Sequence, residues 1–318
     1  KMEEQKEKAR SAREVVMEKG QDSFIEEFYD KYGVTEFTGY EKTEDEGKLL
    51  SLREAKDGKY LLIFDKTPFY AESGGQVGDQ GKICSDNFEA KVLDVQKQKD
   101  IFIHTVEFKK GMPEENKTYK LEVDAVKRLD TAKNHTATHL LHKALREVVG
   151  THVQQAGSLV DSEKLRFDFS HYEALTAEQL SKIEDIVNEK IREGIEVAVS
   201  HHTIEEAKKL GAMMLFGDKY GDVVRVVDVL GFSTELCGGT HIDNIGKIGL
   251  FKIVSEGGIA AGVRRIEAKT GYGAYLVEKE EADILNNIEK KLKATNINLV
   301  EKVEKTLETL KDTEKELE

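Results

Sequence analysis

Two short stretches restrict this chain more than anything else in it: Glu235-Leu236-Cys237-Gly238-Gly239-Thr240-His241 and, roughly a hundred residues upstream, Asn134-His135-Thr136-Ala137-Thr138-His139. Each carries two soft nitrogen or sulfur donors with three residues between them, and four such donors form the closed set that a tetrahedral zinc ion prefers. A fold that satisfies both stretches has to bring remote parts of the chain to one point. The two halves reach it by different geometry. His135 and His139 are followed by the helix formers Leu140, Leu141, Ala144, Leu145 and Arg146, so both imidazoles project from one helical face. Cys237 and His241 bracket Gly238 and Gly239, whose backbone freedom lets a tight loop turn both side chains inward.

Taken singly, each stretch has an ordinary explanation: paired histidines occur on helices by chance, and a lone cysteine is usually core. Their conjunction is harder to explain away, because the chain has two cysteines and nine histidines in 318 residues and one cysteine falls in a glycine loop beside a histidine. Two zinc chemistries are excluded. A zincin protease needs Glu directly after the first histidine, where this chain has Thr136. A zinc deaminase needs His-x-Glu with Pro-Cys-x-x-Cys, and neither is present.

Four segments together are more specific: residues 134–142 (NHTATHLLH), 155–160 (QAGSLV), 165–171 (LRFDFSH) and Cys237-Gly238-Gly239-Thr240-His241. They resemble the editing domain of alanyl-tRNA synthetases. Freestanding alanyl-tRNA editing proteins and the editing domain of bacterial threonyl-tRNA synthetases are similar at the donor pairs only. The resemblance implies one zinc ion on His135, His139, Cys237 and His241, with Gln155 and Cys237 as the residues of the reaction. It implies tRNA(Ala) as partner and hydrolysis of the ester that joins wrongly attached serine or glycine to it. Gly74-Gly75-Gln76, with Asp79 and Gly81, matches the family's glycine-rich motif, so Gly74, Gly75 and Gln76 are expected towards the acceptor end of the tRNA, with Arg264 and Arg265 as further tRNA contacts. His142 is assigned to packing or to support of the ligands. Gln155, Thr136 and Thr138 are the candidates for recognising a serine hydroxyl, Gln155 first.

Bulk properties agree with a soluble cytoplasmic protein of two or three domains: 39% hydrophobic residues, no apolar run of membrane-spanning length and no signal peptide. Cys84 and Cys237 sit in unlike contexts, which fits a reduced compartment. The net charge of −13 argues against a nucleic-acid grip by charge alone. Clusters at Lys127, Arg128, Lys133, Lys143 and Arg146, and at Lys247, Lys252, Arg264 and Arg265, soften that objection.

The expected fold class is α+β, in four parts. Residues 1–33 read as a helical segment with Phe24, Ile25, Phe28 and Tyr29 as its apolar stripe. Residues 34–122 carry short β-type runs and glycine turns, as in a small antiparallel barrel with a glycine-rich loop. Residues 123–271 read as an α+β zinc-containing editing core, with capping boxes at Thr176/Gln179 and Thr203/Glu206 and a cysteine loop joining two strands. Residues 272–318 read as a long C-terminal helix, a possible start of a coiled coil. A start at Lys1 suggests a piece of a longer synthetase, with the ATP-using aminoacylation part before it and a C-terminal tRNA-binding, dimerising domain after it. No P-loop and no convincing class II synthetase motif is legible, so ATP chemistry belongs to the longer protein. The readings left open are an editing deacylase within a synthetase, a freestanding trans-editing deacylase, and a zinc-stapled tRNA-binding module without catalysis. Zinc that activates water and zinc that holds the substrate amine are both open.

Overall fold

The computed structural model describes residues 21–214 and 221–317; the helical expectation for residues 1–20 lies outside them. The architecture is α+β, with six helices and a closed six-stranded barrel among the described residues. Helix α1 (Gln21–Tyr32) packs Ile25 and Phe28 against the barrel residues Ile63, Ile101 and Ile103, which gives the predicted apolar stripe its docking partner. Tyr29, at the edge of that stripe, stays 44% exposed.

Two short strands, β1 (Glu36–Phe37) and β4 (Lys66–Thr67), pair in parallel beside the barrel. The barrel itself closes through β2 (Glu44–Glu54), β3 (Tyr60–Phe64), β7 (Ile101–Lys110), β6 (Phe88–Gln98), β5 (Gly81–Ser85) and β8 (Thr118–Val123), in that spatial order. Every neighbouring pair is antiparallel. Period-two alternation turns Phe88, Ala90 and Val92 of β6 inward, onto a core shared with Leu49, Leu62, Phe64, Phe69 and Leu121. Closure leaves the barrel no open edge.

The chain passes directly from β8 into the long helix α2 (Ala125–Val148), started by Asp124, whose carboxylate accepts from the Lys127 N–H. Two devices fasten barrel to helix. The Arg128 guanidinium is buried in an ion pair with Asp79 and donates to the carbonyls of Gly39 (2.7 Å) and Pro68 (2.8 Å). The glycine-rich loop adds a strand-like bridge: Val160 N–H donates to Gly75 O (2.8 Å) and Val77 N–H to Val160 O (3.1 Å). A side chain at Gly75 would meet the Ser158 backbone, and its φ of +94° also favours glycine.

The remaining core has two antiparallel sheets. One has the order β14 (Phe251–Ala260), β15 (Val263–Thr270), β10 (Leu165–Ser170), β9 (Gln155–Val160). The other is β11 (Val197–Thr203), β12 (Val223–Val229), β13 (Ser233–Leu236). Helix α2 and helix α3 (Ala177–Glu193) bury Leu140, Leu141, Leu145, Ile183 and Val187 against Phe167, Phe169, Phe251 and Ile266. Both expected capping boxes are formed, at the starts of α3 and of the short α4 (Ile204–Lys209). The cysteine loop leaves β13 and reaches β14 through the 3-10 turn Ile245–Ile248, so it joins strands of different sheets.

The long C-terminal helix is corrected to two helices, α5 (Gly271–Leu292) and α6 (Leu299–Leu317). Lys293 takes a left-handed conformation with φ 50°, and Asn298 Oδ1 accepts from the Thr295 N–H (2.8 Å). The Asn298 side chain thus bonds backbone in a turn, the common preference of Asn over helix, and this turn separates α5 from α6. Val300, Leu307, Leu310 and Leu317 on α6 are all more than half exposed. No described helix is long and apolar enough to cross a membrane.

Candidate metal centre

His135, His139, Cys237 and His241 converge with one donor atom each within 4.8 Å of one another. Helix α2 supplies the two histidines from adjacent turns, and the loop after β13 supplies the other pair. His135 Nε2 and His241 Nε2 each lie 3.3 Å from Cys237 Sγ.

Whether the set suits a metal depends on which ring nitrogens are free. Gln76 Oε1 accepts from Thr240 N–H (2.9 Å), and Gln76 Nε2 donates to Thr240 Oγ1 (2.9 Å), which fixes the orientation of the amide. Its oxygen therefore faces His135 Nδ1 at 2.8 Å as an acceptor, so the proton is on Nδ1 and Nε2 keeps its lone pair. Thr136 repeats the arrangement. Its hydroxyl donates to Ala132 O (2.9 Å) and accepts from His241 Nδ1 (3.0 Å), again leaving Nε2 free. His139 turns Nδ1 towards Glu235 Oε2 at 3.6 Å. Partners on the remote nitrogens of His135 and His241 orient those imidazoles for a metal and raise their basicity, while His139 Nδ1 faces the Glu235 carboxylate without a hydrogen bond to it, so the donor set fits a tetrahedral zinc ion.

The charges agree. Burial raises the Cys237 thiol, but the neighbouring His135 and His241 outweigh it and bring it well below the usual thiol range. Burial and His135 together press His241 down to about 3, so it is neutral as a ligand must be. Burial opposes protonation of His139, yet the Glu235 carboxylate holds it up to about 9, so His139 would release a proton on taking up a metal. Glu235 itself is lowered: burial works against its charge, and His139 and His142 override that.

The loop is clamped from two sides. Arg225 Nη1 donates to Cys237 O (2.8 Å) and Gly239 O (2.9 Å), and its guanidinium lies 4.3 Å from the Tyr40 ring centroid. Tyr40, from the barrel side, donates to Gly238 O at 2.5 Å. The reason for the glycines differs from the sequence expectation. Neither Gly238 nor Gly239 has a positive φ. Gly239 is required by close approach, since a Cβ there would fall inside the His135 imidazole.

A cavity opens beside the donors, lined by Gly74, Gln155 and Ser158 on its accessible side and by the buried His142, Phe167 and Glu235 deeper in. Gln155 thus lies on the cavity, as does Thr138, whose hydroxyl donates to Asn134 O (2.8 Å). Thr136 does not line it; its hydroxyl is used up on Ala132 and His241.

Of the residues expected at tRNA, Gly74 is exposed at the mouth, whereas Gln76 is 0% exposed with both amide atoms bonded. Its side chain has a different task, holding His135. Arg264 forms a two-pronged ion pair with Glu256, and Arg265 with Asp168 (2.7 and 2.9 Å). The expected basic clusters are likewise engaged: Lys133 with Asp130, Lys143 with Glu147, Lys247 with Asp243, Lys252 with Glu278. Lys127 donates to Gln80, and Arg146 to Val153 O.

Sequence reasoning missed Glu235, Arg225, Tyr40 and the role of Gln76. Glu235 was findable: it stands two residues before Cys237 at the end of a strand, and so on the same face.

Comparison with known proteins accords with this geometry. Residues 1–127 match the family described as tRNA synthetases class II (A), although no class II synthetase motif was legible in the sequence. Residues 224–267, which include Cys237 and His241, match the threonyl and alanyl tRNA synthetase second additional domain. The chain is 94% identical over 318 residues to an alanine–tRNA ligase of Fusobacterium nucleatum, covering all of this chain and 37% of that protein. It is 47% identical over 326 residues to that of Alkaliphilus metalliredigens and 49% identical over 327 residues to that of Listeria welshimeri, again with 37% of each relative covered.

Proposed function

We propose, because the chain belongs to the alanine–tRNA ligase family, that it is the part of such a ligase that hydrolyses the aminoacyl ester of tRNA(Ala) mischarged with serine or glycine, in the cytoplasm. The observation that carries this reading is the four-donor cluster of His135, His139, Cys237 and His241 opening on a cavity with polar walls. When bound there, zinc would supply Lewis acidity to a water or to the substrate.

The protein's own residues would do the rest. Gln76 and Thr136 hold His135 and His241, and Glu235 faces His139 as its counter-charge; Arg225 and Tyr40 hold the cysteine loop. Gln155 and Gly74 are at the accessible side of the cavity, so Gln155 would contact the ester end of the substrate, and Gly74 with its neighbour Gly75 would meet the tRNA acceptor end. Because Arg264 and Arg265 are engaged by carboxylates, phosphate contact by either requires exchange of partners and contributes little affinity. The chain spans 37% of the length of these relatives.

The test is deacylation of Ser-tRNA(Ala) and Gly-tRNA(Ala) by the zinc-loaded chain, with zinc measured in the same sample. Turnover with one zinc per chain supports the reading, and ATP is not consumed. One bound zinc with no turnover on either ester refutes it in favour of a stapled tRNA-binding module.

A further inference from the structure

His142 lies one helical turn beyond His139 on α2 and is 1% exposed. Its Nδ1 is 3.1 Å from Glu235 Oε1, which puts the proton on Nδ1 because a carboxylate only accepts. Glu235 also takes the Ser233 hydroxyl (3.2 Å) and faces His139, so it is held on several sides and holds His142 in one tautomer. The other nitrogen, Nε2, is buried without a hydrogen-bond partner among the described residues. The ring lines the cavity that the metal donors share and lies against Phe167, with centroids 5.2 Å apart. A buried imidazole nitrogen with a fixed lone pair and no partner is costly, and a polar group left in this condition beside a cavity is best explained by what the cavity receives.

Resting on the deacylase reading above, we propose that His142 is the specificity-determining residue of the site: its Nε2 accepts the hydroxyl proton of the seryl group. Gln155, partly exposed nearer the mouth, is left with the ester common to all substrates. The Thr138 hydroxyl also lines the cavity but is already bonded to Asn134 O, so unlike Nε2 it is not left without a partner, and Thr136 is away from the cavity.

The same arrangement accounts for glycine. A seryl group satisfies Nε2 directly. A glycyl group has no side chain, so a water fits in the vacated space and bonds Nε2 in its place. An alanyl group is the excluded case. Its methyl fills the near part of the space, and a water cannot approach a methyl carbon as closely as a bonded hydroxyl does, so Nε2 stays buried and unpaired. Such a site rejects the correct ester by what it leaves unsatisfied, where size exclusion could not.

The experiment compares kcat/KM for Ser-, Gly- and Ala-tRNA(Ala), with zinc content measured alongside, for the zinc-loaded wild-type chain, His142→Phe and His142→Gln. Phe keeps the ring volume and removes the acceptor; Gln places an amide near the position of Nε2. Serine over glycine preference is expected to fall about 10- to 100-fold in His142→Phe, the cost of one lost buried hydrogen bond, and to recover in part in His142→Gln. A second measurement needs no variant: tRNA(Ala) carrying α-aminobutyrate, with a methyl where serine has its hydroxyl, is expected to be hydrolysed by the wild type about 10- to 100-fold more slowly than the seryl ester. Equal losses on both esters at full zinc content, or equal rates for the seryl and α-aminobutyryl esters, overturn the role of His142 while leaving the deacylase reading intact. A zinc-loaded wild type inactive on both esters overturns both.

Discussion

Replacing Gln76 with leucine separates two jobs that one buried amide performs. Gln76 Oε1 accepts from His135 Nδ1 (2.8 Å) and Thr240 N–H (2.9 Å), and leucine of similar size offers neither an acceptor. The lost Thr240 bond is present with or without metal, so it lowers fold stability but cancels from zinc affinity. The lost His135 bond does not cancel: without its acceptor the imidazole is free to place its proton on Nε2, the atom that has to face the ion. Removing a partner of this type typically weakens metal binding about 10- to 100-fold, which is about 1.4 to 2.7 kcal/mol. Two buried donors left unpaired cost about 1–3 kcal/mol each in stability. Competition against a chromophoric chelator reads the first quantity, and denaturant unfolding of the metal-free protein reads the second. Gln76→Glu keeps an acceptor for both donors and is expected to hold zinc near the wild-type level. Gln155→Leu, on the cavity but not bonded to a ligand histidine, is expected to leave zinc affinity unchanged. Wild-type zinc affinity in Gln76→Leu would refute the claim that the barrel loop sets the state of His135.

Gly239→Ala forces a methyl into the His135 ring and is expected to lose bound zinc, read by metal analysis of purified protein, while Gly238→Ala, whose Cβ meets nothing closer than the Tyr40 hydroxyl at 3.9 Å, keeps it. Arg128→Met leaves Asp79 charged and buried and should cost about 3–5 kcal/mol in unfolding free energy, with much of it recovered in the Arg128→Met/Asp79→Leu double variant. His104, fully buried in the barrel between Thr67 Oγ1 (2.8 Å) and Leu62 O (3.1 Å), is pushed down to about 4 by burial, against the opposing bond to Leu62. Its folded value lies below its unfolded one, so its contribution is complete above about pH 6.5 and is lost as the pH falls towards 4; relative to His104→Gln, the wild type is expected to lose about 2 kcal/mol between pH 7 and pH 5 in equilibrium unfolding.

The donors were legible because they are local: a four-residue helical spacing and a four-residue loop spacing need no tertiary information. The barrel strands and the capping boxes were legible for the same reason, through alternation and through Thr-x-x-Gln and Thr-x-x-Glu patterns. What failed to show was contact across distance. Gln76 and Thr240 are separated by 164 positions and Tyr40 and Gly238 by 198, and no periodicity links them. Gly239 misled for a subtler reason: glycine serves both backbone freedom and close approach, and composition cannot tell which. The basic clusters misled similarly, since a run of Lys and Arg shows its charge but not the carboxylates folded against it. The single C-terminal helix failed because the Glu, Lys and Leu composition runs on both sides of Thr295-Asn296-Ile297-Asn298, and composition does not show the turn that Asn298 closes there.

The arrangement of fastenings bears on why a barrel and an α+β core travel together in one chain. All four candidate metal donors lie between residues 135 and 241, outside the barrel, and a site of that kind could in principle close on core elements alone. It does not. One wall is Gln76 against His135, another is Tyr40 against the cysteine loop, and the helix carrying His135 and His139 is fixed to the barrel through Arg128. Each tie crosses the junction, so small rotation of barrel against core would disturb a ligand's tautomer, the loop carrying Cys237, and the register of α2 together. Meanwhile the bridge between Gly75 and Val160 aligns the barrel's glycine loop with β9, the strand that carries Gln155 and Ser158 on the cavity. The surface that would meet a tRNA end and the pocket that would act on it are therefore built on one rigid seam, and the geometry of the four donors depends on that seam staying closed.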